Sequence, residues 1–284
     1  KEVKMSRNQS RVFGNIPETQ QPPPPLPPQA QAQEQEISTP FDFIVPTELI
    51  DLPSKGEFYP EGHVLHKAET IEIKHMTAKE EDILTSSTLL KKGVAIDKML
   101  RSIIINKNIN IDDLLLGDKN ALLVKSRIFG YGAEYATSIE CPQCNTKFDY
   151  SFDLEELESK GVEAVQSVER TEQNTFVMIL PKSNITVEYR LLTSRDEREL
   201  SKKKTGGSLD LLKKIVVSMN DQTDKFYIDR ALQSLPILDT SLLKKAYIKT
   251  MPDIDMNVEV ECSNCAEVSE MGVPLDANFF WPNL

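Results

Sequence analysis

Residues 140–144 read ECPQC and residues 261–265 read ECSNC, with strand-like runs on both sides of each stretch. One Cys-x-x-Cys pair supplies only two of the four ligands that a closed tetrahedral thiolate site requires. Two pairs brought together would complete that site and leave no open position for water. We therefore expect one structural Zn2+ ion per chain, bound by Cys141, Cys144, Cys262 and Cys265.

Other uses of these cysteines stay open. A thioredoxin-like redox pair needs a thiolate of low pKa at a helix N-terminus, whereas these pairs lie between strands, beside Glu140 and Glu261, whose charges would raise a thiol pKa. Free buried thiols, or metal sites completed between subunits, are the remaining alternatives. Four cysteines in 284 residues are too few for a disulfide scaffold. Residues 1–20 lack the apolar run of a secretory signal, so we expect a reducing cytoplasm.

The segments before the two cysteine pairs follow the same order along the chain. The first set comprises a strand at 71–75, a helix that begins with a Thr77–Glu80 capping box, and helices at 97–105 and 118–129. The second set comprises a strand at 185–190, a helix that begins with a Ser194–Glu197 capping box, and helices at 209–219 and 241–249. A strand then runs into each pair and another runs out. Five elements in one order predict an internal duplication.

The predicted fold is α+β. Two duplicated halves, at residues 41–160 and 161–284, each combine helices with a β-hairpin and meet at the shared four-cysteine, zinc-ribbon-like site. Residues 1–40 form a separate extended arm, since residues 20–36 (QQPPPPLPPQAQAQEQE) contain little to bury and favour polyproline II geometry. A PxxP ligand for an aromatic groove is the alternative role of this Pro-rich arm.

Composition and motifs narrow the functional class. A net charge of −11 argues against broad nucleic-acid binding, which needs a basic surface to release counterions. No apolar run approaches the roughly 18 residues that span a bilayer. The loop pair His63 and His66 has no acidic or cysteine ligand at the usual spacing, so we expect no second metal site. Without a nucleophile–base set, a phosphate-binding loop or converging carboxylates, we expect no enzyme activity.

Two aromatic segments are candidate partner-binding surfaces. Residues 52–60 (LPSKGEFYP) are typical of a turn-rich loop, with Phe58 and Tyr59 as its anchors. Residues 278–284 (NFFWPNL) contain Phe279, Phe280 and Trp281, the single tryptophan of the chain. Packing of this tail on the chain's own core is one prediction. Docking into a neighbouring subunit is the other, because aromatic side chains anchor interfaces.

These residues also carry a family resemblance. Residues 52–60, 76–84 (MTAKEEDIL), 114–123 (LLLGDKNALL) and 131–135 (YGAEY) resemble the baseplate hub proteins of T-even-like contractile-tailed bacteriophages, the myoviruses. The resemblance covers residues 49–154 well and the second half loosely, while the Pro-rich arm departs from shorter members of that family. It implies a virion or tail-assembly protein that acts by binding other tail proteins.

The resemblance and the residues together predict a structural component of the tail baseplate, in its hub region and within a multi-subunit assembly. It would be located in the virion tail, and in the host cytoplasm during assembly. Two alternatives stay open. One is an assembly chaperone that is absent from the mature virion, and the other is a zinc-ribbon nucleic-acid-binding protein.

Overall fold

The computed structural model describes residues 45–161, 169–202, 207–275 and 277–280. The described residues form one compact unit within Val45–Leu284. The predicted Pro-rich arm at 1–40 and the predicted partner-binding residue Trp281 lie outside the described residues. Helices and small antiparallel sheets alternate along the described chain, which agrees with the predicted α+β class.

The first half of the chain contains two pairs of strands with helices between them. Its elements, in order, are β1 (Thr47–Asp51), β2 (Thr70–Lys74), α1 (Ala78–Thr85), α2 (Ser87–Lys91), α3 (Ala95–Ile103), a 3-10 helix (Ile111–Asp113), α4 (Leu116–Tyr131), β3 (Glu134–Glu140), β4 (Lys147–Asp153) and β5 (Ser159–Lys160). Strand β1 pairs with β2 and strand β3 pairs with β4, both antiparallel.

The second half begins with a small sheet and continues with helices. Its elements, in order, are β6 (Glu169–Arg170), β7 (Phe176–Ile179), β8 (Thr186–Tyr189), α5 (Ser194–Ser201), α6 (Ser208–Ile215), β9 (Val216–Met219), α7 (Lys225–Ser234), α8 (Ile237–Thr250), β10 (Asp253–Ile254), β11 (Asn257–Glu261), β12 (Val268–Gly272) and a 3-10 helix (Ala277–Phe280). Strands β6, β7, β8 and β9 form one antiparallel sheet in that order, and β11 pairs with β12.

One predicted helix is too long. The helix predicted at 209–219 ends at Ile215, and Val216–Met219 forms strand β9 against β8. Two adjacent valines, Val216 and Val217, open this strand, and β-branched side chains favour a pleated strand over a helix. The apolar spacing of the segment fits both structures, so pairing with β8 decides between them.

The first predicted capping box is confirmed. The Thr77 backbone N–H and hydroxyl donate to the Glu80 carboxylate, at 2.9 and 2.6 Å, at the start of α1. The Glu80 side chain is buried, and it also accepts from the Lys74 ammonium at 2.8 Å and from the Ser102 hydroxyl of α3 at 2.6 Å. The cap therefore connects strand β2, helix α1 and helix α3.

The second predicted capping box is wrong by one residue. Helix α5 is capped by Thr193 and Asp196, not by Ser194 and Glu197. The Arg190 guanidinium forms two hydrogen bonds to the Asp196 carboxylate, at 2.7 and 2.9 Å. This pairing favours the Thr193 register, because it places the buried carboxylate beside a cation.

A short antiparallel contact connects the two halves through the backbone. The Leu116 N–H donates to the Leu192 carbonyl at 3.1 Å, and the Ser194 N–H donates to the Leu114 carbonyl at 2.8 Å. Strand β5 of the first half also pairs with β10 of the second. The halves thus share hydrogen bonds as well as apolar packing.

Helix α4 is the most deeply buried helix of the first half. Nine of its 16 residues are buried, among them the Asp118 side chain. This carboxylate accepts hydrogen bonds from the Ser54 N–H (3.0 Å), the Ser54 hydroxyl (2.6 Å) and the Tyr59 hydroxyl (2.7 Å). The loop at 52–60 is therefore held against helix α4.

None of the helices among the described residues is long and apolar enough to span a membrane.

Candidate metal centre

Each cysteine pair lies in the turn of a two-stranded ribbon. In the first ribbon β3 and β4 end at the pair Glu140–Lys147, and the Cys141 N–H donates to the Thr146 carbonyl at 3.0 Å. The Asn145 N–H then donates to the Cys141 carbonyl at 2.9 Å, and Asn145 has a φ of 55°. Asparagine tolerates this left-handed conformation better than most residues, so the sequence suits a tight knuckle.

The second ribbon repeats this geometry. The Cys262 N–H donates to the Glu267 carbonyl at 2.9 Å, and the Ala266 N–H donates to the Cys262 carbonyl at 2.9 Å. Ala266 has a φ of 56°, so the left-handed residue follows the second cysteine in both turns. The two knuckles therefore have the same backbone hydrogen bonds although their intervening residues differ.

The structure brings the four predicted ligands together. The Sγ atoms of Cys141 and Cys265 are 3.8 Å apart, as are those of Cys144 and Cys262. All four sulfurs lie within 4.8 Å of one another. A tetrahedral zinc site with Zn–S bonds of about 2.3 Å has sulfur–sulfur edges of about 3.8 Å. The four sulfur ligands and the distances between them thus fit a metal ion that is bound tetrahedrally by four thiolates.

Hydrogen bonds from its own knuckle and from the other knuckle stabilise the thiolate form of Cys144. The Thr146 hydroxyl and backbone, and the Asn264 amide, lower the pKa of Cys144 to about 6. The Asn264 Nδ2 atom lies 3.7 Å from the Cys144 Sγ atom and 3.2 Å from the Thr146 hydroxyl. Because the thiolate is the form that binds metal, the lowered pKa of Cys144 favours metal binding at this sulfur near neutral pH. A backbone hydrogen bond from Glu267 would lower the pKa of Cys265, but desolvation and the other three sulfurs raise it to about 12, so this thiol would lose its proton only when metal binds.

Comparison with known proteins gives the family. A family model described as "T4 bacteriophage base plate protein" matches residues 46–281. The chain belongs to this family. No curated protein and no solved structure matches the chain. The match extends through both halves of this baseplate protein, and it confirms the baseplate family predicted from residues 52–135.

Four of the five aromatic residues predicted to bind partners lie in the protein's own core, and the fifth, Trp281, lies outside the described residues. Phe58 and Tyr59 are buried, and the Phe58 ring packs at 5.8 Å from that of Phe176. Phe279 and Phe280 are also buried. Contact of these four side chains with another baseplate protein stays a prediction, and it would require their segments to leave the core.

The C-terminal Phe279 is held on the first half by a buried arginine. The Arg127 guanidinium donates to the carbonyls of Phe279, Gly132 and Glu134, at 2.7, 2.6 and 3.1 Å. The Tyr135 ring lies edge-on to the Phe279 ring, with 5.2 Å between centroids. This arrangement agrees with the prediction that the tail packs on the chain's own core.

The histidines have structural contacts. The His63 ring stacks on the Tyr59 ring at 4.7 Å, and the His66 Nδ1 atom lies 2.8 Å from the Tyr59 carbonyl. Within the described residues, the four cysteines are the single group of three or more His, Cys, Asp or Glu side chains close enough to share an ion.

Asn264 connects the two knuckles, and the sequence pattern did not identify it. Its amide contacts the Cys144 sulfur and the Thr146 hydroxyl of the other ribbon. An amide inside a Cys-x-x-Cys turn does not reveal this contact, because Cys144 lies 120 residues before Asn264 in the chain. The predicted convergence of the two pairs was the only signal that could have indicated it.

Proposed function

We propose that this baseplate protein is a structural component of the hub region, which acts by binding other tail proteins. The family match over residues 46–281 is the observation that carries this proposal. The structure of the described residues supports a structural role, because hydrogen bonds and packing connect the two halves into one compact unit. A compact body with a closed ligand cluster suits a building block of an assembly rather than a catalyst.

Mass spectrometry of purified virion tails and of tail-assembly intermediates tests this role. A baseplate component should be present in both, at a fixed stoichiometry to other tail proteins. Presence on intermediates alone would identify an assembly chaperone, which acts in the host cytoplasm. Absence from both would reject a role in the tail.

We further propose that the four cysteines hold one structural Zn2+ per chain. Four thiolates leave no open coordination position, so the ion would stabilise the fold and supply no chemistry to a substrate. Zinc bound by both knuckles would connect ribbons that lie more than a hundred residues apart in the chain, which restricts the unfolded chain.

Metal analysis of the reduced protein tests the zinc proposal. We expect about one zinc per chain in the wild type and a loss of bound zinc in Cys141→Ser. Ser138→Ala, an exposed change on the same ribbon, is the matched control and should keep its zinc. Metal-free wild type, together with an unchanged Tm in Cys141→Ser, would reject the site.

We also propose that the two halves arose by duplication, with repeats at 41–160 and 161–284. Support comes from the capped helices α1 and α5. In each half a basic residue, a threonine and an acidic residue are spaced three positions apart. These residues are Lys74, Thr77 and Glu80 in the first half and Arg190, Thr193 and Asp196 in the second. The left-handed residue in each knuckle is a further correspondence.

The proposed contact surfaces are the Pro-rich arm at 1–40, the loop at 52–60 and the aromatic tail. Binding through these segments would give the protein its neighbours in the hub. A cryo-electron microscopy map of the native baseplate tests the assignment. The assignment fails if none of the three segments touches another protein in that map.

A further inference from the structure

A cleft between the two halves lies on the side of helix α5. It has a volume of about 480 Å³ and lies between the segment that joins α2 to α3 and the C-terminal part of α5. Lys119 of helix α4 also lines it. Neither the zinc cluster nor the aromatic segments contribute to this cleft.

The base of the cleft is a set of paired charges. The buried Lys119 ammonium lies 3.0 Å from the Asp97 carboxylate and 2.8 Å from the Glu197 carboxylate. The Arg198 guanidinium pairs with Asp112. These charges already have partners within the chain, so we assign them to the folding of the cleft rather than to a ligand.

The rim of the cleft carries three exposed lysines. Lys91, Lys92 and Lys202 form no ion pair with a described residue. The Lys214 ammonium lowers the pKa of Glu199, and Lys202 is near enough to that carboxylate to add to this effect. Among the described residues that line the cleft, five side chains are cationic and two are anionic. This excess of positive charge stands out in a chain whose net charge is −11.

One wall of the cleft is apolar. The Leu90 side chain is 45% exposed and the Ile96 side chain is 38% exposed, although both lie on helices that pack against the body. Exposed aliphatic side chains beside a cationic rim match a segment that carries both apolar and acidic residues.

We propose that this cleft binds an acidic segment of another protein. An aliphatic side chain of that segment contacts Leu90 and Ile96, and its carboxylates pair with Lys91, Lys92 and Lys202. The inference rests on the proposed function, because it names the chemistry of one tail-protein partner. The occupant is a protein rather than a nucleic acid, because the exposed Leu90 and Ile96 side chains suit an aliphatic side chain, which a nucleic acid lacks.

Fluorescence anisotropy with the full chain tests the proposal. The probe is a fluorescein-labelled synthetic peptide of twelve residues, with a Leu-Ile pair flanked by glutamates. We expect saturable binding that weakens as salt rises from 50 to 300 mM, because salt screens exposed charges. The triple variant Lys91→Glu, Lys92→Glu, Lys202→Glu should weaken binding by roughly tenfold or more, since each attractive pair becomes repulsive.

The matched control is the triple variant Lys225→Glu, Lys245→Glu, Lys249→Glu. These lysines are also exposed, on helices α7 and α8, and their replacement changes the net charge by the same amount. The control should bind the peptide as the wild type does. Both variants should keep the zinc content and Tm of the wild type, which shows that each is folded.

Four outcomes would overturn the proposal. They are no binding of the peptide by the wild type, equal binding by the two variants, equal affinity for a peptide with Gln in place of Glu, and tighter binding of a labelled twelve-nucleotide DNA strand through the same lysines. Self-association that the cleft variant abolishes would instead assign the cleft to a second copy of this chain. The peptide measurement is independent of whether the protein is found in purified tails, so the two proposals can fail separately.

Discussion

Helices α4 and α8 are each the last helix before a cysteine ribbon, yet they are buried very differently. Nine of the 16 residues of α4 are buried, against four of the 14 residues of α8. The α8 side chains Ile237 and Ile248 are 86% and 62% exposed. Equivalent order along the chain has therefore not produced equivalent packing.

This difference shows how the two halves divide their roles. Helix α4 receives contacts from the loop at 52–60 and from the C-terminal Phe279, through Asp118 and Arg127. Helix α8 has part of its apolar surface exposed. The first half thus supplies the central scaffold, while the second half packs on it and presents more of its own surface.

The knuckles, in contrast to α4 and α8, should be equivalent, and this gives the largest expected effect. Cys141→Ser and Cys262→Ser should each lower the free energy of unfolding by about 4 kcal/mol or more, because structural zinc contributes strongly to folding. Chemical denaturation with and without a chelator measures the effect. A large loss in one variant and none in the other would show that the knuckles do not share one ion.

The contrast between the two helices predicts the next effect. Leu122→Ala in α4 should cost about 2–5 kcal/mol, because the side chain is fully buried and its removal leaves a cavity. Ile248→Ala in α8 should change stability by less than about 0.5 kcal/mol, since that side chain is largely exposed. Urea denaturation at pH 7 measures both values, and similar costs would contradict the proposed division of roles.

Close backbone packing at the start of α4 gives a smaller effect. A Cβ atom at Gly117 would overlap the Pro252 carbonyl, so Gly117→Ala should cost roughly 1–3 kcal/mol through strain. Leu238→Ala is the control, because Leu238 is the second residue of α8, as Gly117 is of α4, and is 48% exposed. Thermal unfolding of both variants tests this, and a Gly117→Ala variant as stable as the wild type would contradict the observed packing.

The two capping boxes give an effect of similar size at pH 7, and this effect becomes smaller as the pH falls. Burial would raise the pKa of Glu80, but hydrogen bonds from Lys74, Ser102 and Thr77 outweigh burial and lower it from 4.5 to about 2. A folded-state pKa below the unfolded value stabilises the protein above about pH 4.5, and this contribution is lost as the pH falls towards 2. At pH 7 we expect Glu80→Gln to cost about 1–3 kcal/mol.

Denaturation of wild type and Glu80→Gln at pH 7, 4 and 3 measures this dependence. The difference between the two proteins should shrink as the pH falls. Comparing them at each pH cancels any other pH-dependent change in stability that both proteins share. The loss of stability in Asp196→Asn should also become smaller as the pH falls. Burial would raise the pKa of Asp196, but the hydrogen bonds from Arg190 and Thr193 lower it. A difference that stays constant from pH 7 to 3 would argue against ionised capping carboxylates.

Local chemistry made part of this structure predictable. The two Cys-x-x-Cys pairs were predicted to lie close together, because each pair alone supplies only half of the ligands of a tetrahedral site. The Thr77–Glu80 cap was also predictable, since one threonine precedes one suitable acid there. In the sequence at 193–197 (TSRDE), two hydroxyl residues and two acids allow two registers, and the chosen one depends on Arg190.

Long-range contacts made the rest unpredictable. Val216–Met219 became a strand because β8 lies beside it, and the sequence of this segment does not reveal that neighbour. The buried Tyr59 likewise has its hydroxyl bonded to Asp118, which lies 59 residues later, and the buried Phe58 packs against the distant Phe176. Polar contacts of this kind leave no periodic pattern in the sequence.

The distance along the chain between the two knuckles has a consequence for synthesis. Cys144 precedes Cys262 by 118 residues, so at about 5–20 residues per second the ribosome completes the second pair roughly 6–24 s after the first. During this interval the nascent chain offers only two thiol ligands. Binding of the proposed ion by all four cysteines would therefore belong to the last steps of maturation, and a translation product that stops before Cys262 cannot complete the site.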